Sequence, residues 1–247
     1  YVVFVTEVDR MPVHSGTTVL VTVFSGNDLD DDYHDAGVDL SGLPWNNARE
    51  SFAVRMNSFV RRSPILQLIK RLRHGNNPAN NVLVREIAGD RKMLFYEPYI
   101  KRRNRTAEVV RSHENYSRLI STLNGIKGVA RAHGLNAAVV LFPSKEEVYG
   151  WIVDGTGPRE NGTGPNGLGK ALESSCRQEG LMFTDLTVSL IDAARRVWED
   201  AGDVIYWMDD THWNEKGHGI VADAVHETLS AVLPGTGKMT ADGETAR

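Results

Sequence analysis

Two stretches carry residue types that could do chemistry. The first is Asp209-Asp210-Thr211-His212-Trp213-Asn214-Glu215-Lys216-Gly217-His218. A histidine takes a proton near neutral pH. A carboxylate just before it can hold its tautomer and stabilise the imidazolium, as general base catalysis requires. The second is Ser25-Gly26-Asn27-Asp28, at the end of the apolar run Val19-Leu20-Val21-Thr22-Val23-Phe24. Glycine lets the backbone turn sharply there. Asn27 offers a donor that could stabilise an oxyanion. Taken singly, the first stretch also reads as a solvated loop and the second as a simple turn.

The elements around these stretches predict how they are held. The run 19–24 has the length and β-branching of a strand. The apolar run 204–208 reads as a second strand and the pattern 220–233 as a helix, which puts His212 on the loop between them. Residues 115–134 carry Leu119, Leu123, Ile126, Val129 and Ala130 at helical spacing. Residues 136–142 follow as a buried strand stopped by Pro143. Helices are expected at 168–179 and 188–201, with a strand at 181–186 between them. Alternation of this kind argues for a parallel sheet. Ligands bind such sheets at the C-terminal edge, where Gly26, Asn27, Asp209 and His212 would meet.

Together these pieces resemble the SGNH (GDSL-like) hydrolase family. Gly26-Asn27-Asp28 is similar to its third block and Asp209-x-x-His212 to its fifth. The Asp-Thr-His-Trp-Asn ending, Leu141-Phe142-Pro143-Ser144-Lys145-Glu146 and Phe183-Thr184-Asp185-Leu186-Thr187 resemble the branch related to alginate O-acetylation proteins. The resemblance implies a three-layer α/β/α sandwich with a mainly parallel, flavodoxin-like sheet, spanning residues 1–233 with an insertion at about 45–113. It implies a serine esterase or O-acetyl transferase acting on a small-molecule or polysaccharide ester. His212 would be the base and Asp209 its acid, with Asp210 competing for that role. Asn27 would donate to the oxyanion, and Gly26 and Trp213 would border the substrate. The Gly-Asp-Ser and second blocks do not occur ahead of Gly26. Gly89-Asp90 is followed by Arg91 and lies on the wrong side of the third block. We therefore expect the nucleophilic serine, the second block and the first strand of the sheet upstream of Tyr1. The rival reading is a non-catalytic glycan-binding or scaffold protein that has lost the serine. A place outside the cytoplasm, with envelope partners, follows from the resemblance alone.

Other features narrow the field. A net charge of −4 over 247 residues makes no case for nucleic acid. The single Cys176 excludes an internal disulfide framework and has no paired histidine nearby. Asp28, Asp30, Asp32 and Asp39 approach the spacing of a calcium loop. Tyr33 stands where that loop needs glycine, so no metal is expected. Residues 164–171 miss a phosphate loop because Ala171 replaces the required hydroxyl; the Gly/Pro-rich stretch 154–169 is expected to form a loop over the cleft instead, with no cofactor. Ser144-Lys145 invites a dyad reading, set aside for scaffold because no partner base is in sight. Asp185 is expected to bond a nearby turn. The basic segment 61–73 reads as a surface amphipathic helix, residues 92–99 as a short strand, residues 101–105 as a solvated basic loop, and residues 234–247 as a disordered tail.

Overall fold

The computed structural model describes residue 14 and residues 16–30, 81–87, 90–158 and 164–232. The acidic residues beyond Asp30, the basic segment 61–73, the tail 234–247 and the start 1–10 lie outside the described residues. The chain is α/β. Strands β1 (Thr18–Phe24), β4 (Asn136–Phe142) and β5 (Met182–Asp185) form a parallel sheet in the order β1-β4-β5. Strands β2 (Val82–Ile87) and β3 (Arg91–Tyr96) form an antiparallel hairpin. The helices are α1 (Glu97–Arg103), α2 (Ala107–Arg111), α3 (Tyr116–Ala132), α4 (Lys145–Val148), α5 (Gly150–Asp154), α6 (Gly167–Gln178), α7 (Thr187–Ala201) and α8 (Glu215–Val232).

Strand β4 organises the core. Successive side chains on a strand point to opposite faces. Val139 and Leu141 accordingly join Leu119 and Leu123 of α3 and Leu172 of α6 in one buried cluster. Val140 joins Leu190 of α7, Val221 of α8 and residues 204–206 in another. β1 runs beside β4 in register, and their last residues, Phe24 and Phe142, are partners. The C-terminal edge of the sheet is thus built from two aromatic residues side by side. Among the described residues no helix is long and apolar enough to cross a membrane.

Three expectations need correction. Residues 204–208 are not a strand of the sheet. Their backbone groups are taken by side chains and by the hairpin. Ile205 N–H donates to the Tyr149 hydroxyl (2.8 Å), and Leu94 N–H donates to the Met208 carbonyl (2.7 Å). Only an isolated bridge, Tyr206 to Trp213, remains. The strand expected at 92–99 stops at Tyr96. Pro98 lies in the first helical turn with Glu97, and Lys101, Arg102 and Arg103 lie in the last. Proline and an acid at the start and bases at the end all favour a helix. The arginines of 101–105 are not a solvated loop either, although Lys101 is exposed. Arg105 grips Asp30 through both oxygens at 2.7 and 2.8 Å, and Arg102 Nε lies 3.0 Å from it. Asp30 is thereby a partly buried anchor, its side chain 14% exposed. Met93 and Phe95 of β3 are fully buried in the cluster that holds Val140 and Leu190.

Candidate functional site

The site is a loop closed on itself. Trp207 N–H donates to the His212 carbonyl (3.0 Å), which ties the two ends of the turn. Asn214 then locks the exit. Its Nδ2 donates to the Val204 carbonyl (2.7 Å), and its Oδ1 accepts from Gly217 N–H (2.9 Å), capping α8. Asparagine is favoured in that capping role. The helix therefore begins at Glu215, five residues earlier than the apolar pattern from 220 suggested. Gly217 allows α8 to press on the loop, because a Cβ there would lie 2.0 Å from the Ile205 carbonyl.

His212 Nδ1 lies 2.7 Å from Asp210 Oδ1. The carboxylate that touches the imidazole is therefore that of Asp210, where the first expectation had been Asp209. The tight turn explains this. Asp209 points to a separate cavity of about 190 Å³ that it shares with Lys145 and Phe95. The hydrogen bond from His212 holds the Asp210 carboxyl below its usual range. An ionised carboxylate only accepts, so Nδ1 carries the hydrogen, and in the neutral ring that leaves the lone pair on Nε2. That is the tautomer a general base needs. The imidazole is 79% exposed.

His212 lines a largely apolar cavity of about 310 Å³ with Phe24, Phe142, Tyr206, Thr211, Trp213 and His218. Trp213 is a wall of it, held edge-on against Phe142 at 5.0 Å and His218 at 5.6 Å. Gly26 shapes it indirectly. A Cβ at Gly26 would lie 2.3 Å from the Phe24 ring and 2.9 Å from the Tyr99 ring. Only glycine lets Phe24 fold beneath the turn. The Gly26 carbonyl accepts from Arg102 (2.5 Å), and the Asn27 carbonyl accepts from Asp30 N–H (2.8 Å). The structure so brings His212, Trp213 and Phe24 together. Gly26, Asn27 and Asp209 do not line this cavity. No family model, no curated protein and no solved structure matches the chain. Among the described residues no group of His, Cys, Asp and Glu could hold a metal.

Two charged residues were given no role in the sequence reading, Lys145 because it was set aside as scaffold and Glu147 because it was passed over. Lys145 is 1% exposed, and burial depresses its ammonium to about 8. Glu147 sits at the third position of α4, where it and Ser144 form a capping box. It also accepts from the Ser25 hydroxyl and from Asn166 Nδ2. The Ser-x-x-Glu spacing directly after a strand and Pro143 was the available signal. Glu147 is reached from a second, polar cavity of about 280 Å³, lined also by Arg103, Asn166 and Arg195. Gly164, Pro165 and Asn166 border that cavity, and not the one at His212.

Burial raises the Glu147 carboxyl from 4.5 to about 7. Folding therefore takes up a proton between those values, and this group's share of stability falls as pH rises through that window. We predict that Glu147→Gln makes the loss of melting temperature between pH 4.5 and 7 shallower than in the wild type. Equal slopes would contradict it. Two other expectations hold. Asp185 Oδ1 accepts from Thr187 N–H (2.8 Å), bonding the turn into α7. Cys176 is buried and its thiol is pushed up to about 11, which suits packing and not nucleophilic attack.

Proposed function

We propose that this chain carries the histidine and acid of an SGNH-type serine esterase or O-acyl transferase. The observation that supports this best is the Asp210–His212 pair at 2.7 Å, set beside the C-terminal ends of β1 and β4 across an apolar cavity. In this reading a serine, expected upstream of Tyr1, attacks the ester carbonyl carbon. His212 Nε2 takes the hydroxyl proton as the new C–O bond forms. The imidazolium then returns that proton to the departing alkoxide, and water or an acceptor hydroxyl repeats the sequence on the acyl-enzyme. Asn27 would approach the oxyanion from the turn beyond Phe24. The two clusters on opposite faces of β4 favour a three-layer sandwich as the setting. An O-acetylated carbohydrate is the proposed substrate class. Its acyl group suits an apolar cavity and its hydroxyls suit the open side of His212.

The acid assignment gives a direct test. In the full-length protein, Asp210→Asn should lower kcat for an acetyl ester about 10²- to 10⁴-fold, because the amide donates where the imidazole needs an acceptor. Asp209→Asn should change it only a few-fold, the range expected of a group outside the pair. Equal losses in both variants, or a larger loss at Asp209, would return the role to Asp209.

A further inference from the structure

Lys145 opens α4 directly after β4 and the Ser144 cap. Its stem passes the Phe95 ring, with Nζ 5.5 Å from the ring centre. The ammonium ends inside the histidine loop. It donates to the carbonyls of Trp207 (3.2 Å), Met208 (3.4 Å) and Asp210 (2.6 Å). An ammonium has three donors, and here each has one carbonyl. Three carbonyls within four residues converge on one point only if the chain curls around it. The bond between Trp207 N–H and the His212 carbonyl closes that curl.

We propose that Lys145 is the positioning residue of the Asp210–His212 pair. Asp210 is used twice. Its carbonyl is fixed by Lys145 and its carboxylate holds His212. Rotation of the Asp210 backbone would therefore move the carboxylate that sets the imidazole. A buried cation is a costly way to fill space, since an apolar residue of similar volume is often neutral or better for stability. Its retention here fits a demand for geometry. The carboxylates of Glu146, Asp210 and Asp209 are the charges that act on it, and they favour its protonated form.

The proposal rests on the esterase reading only for its kinetic arm. The direct readout is the His212 tautomer, followed by long-range proton–nitrogen correlation of the imidazole rings in the labelled full-length protein. His212→Ala identifies the signal. The wild type should show Nδ1–H, against the Nε2–H form usual for a free histidine. Lys145→Met, which keeps length and removes the donors, should melt cooperatively yet lose the Nδ1–H form. Its kcat for an acetyl ester should fall about 10²-fold with KM little changed, the cost of a small misplacement. A folded Lys145→Met protein that keeps Nδ1–H would overturn the proposal, as would Nε2–H in the wild type. Should the Met variant not fold, the wild type decides. Its His212 ring signals should shift again as pH passes about 8 and the ammonium loses its charge; signals flat through that range would overturn it. A tautomer that responds to Lys145 in a protein without ester turnover would keep this proposal and sink the esterase reading alone.

Discussion

Replacing His212 with alanine in the full-length protein lowers ester turnover by about 10³-fold or more, if the pair is the base of a serine mechanism. The argument is local. His212 is mostly exposed, and the carboxylate its ring bonds, Asp210, is itself half exposed. The backbone at 212 is held by its carbonyl, which alanine retains. The variant should therefore melt within a few degrees of the wild type, as surface changes do. Kinetics and stability thus separate cleanly. Retained turnover in a folded His212→Ala protein would remove the role assigned to the histidine.

The second large effect is on stability. Tyr206→Ala should cost about 3 to 5 kcal/mol, the range for truncating a buried aromatic residue. Tyr206 is fully buried. Its ring meets Tyr149 and Trp213 edge-on, and its hydroxyl donates to the Pro143 carbonyl (2.9 Å). Truncation opens a cavity and leaves that carbonyl without its donor. It also removes the wall that β4 shares with the histidine loop. Chemical denaturation measures the loss. A cost below about 1 kcal/mol would mean that the loop is not braced through Tyr206, since that is the ordinary effect of an undistinguished substitution.

The elements with strong period were legible in the sequence. β1, β4, α3 and α7 fall within a residue or two of their expected bounds, because each is decided by its own apolar pattern. Residues 204–208 misled for the converse reason. Their apolar run reports burial, and burial alone does not say whether neighbours offer a strand or side chains. Tyr149, Leu94 and Asn214 offer the latter. The same limit applies to the site. His212 and its loop were visible as a motif, but two adjacent aspartates cannot be told apart by spacing. The choice of Asp210 depends on how the turn curls. That curl depends on Lys145, which lies 62 positions or more away in sequence from the carbonyls it binds. Asp30 was hidden in the same way, as its arginine partners come from α1 and the turn after it.

The central claim is that His212 activates a serine. The most direct measurement is labelling of the native full-length protein with a fluorophosphonate, followed by mapping of the modified peptide by mass spectrometry. The account predicts one labelled serine, upstream of Tyr1, and loss of that label in His212→Ala. A folded wild-type protein that takes no label, or a label indifferent to His212, would contradict it and favour a glycan-binding or scaffold protein.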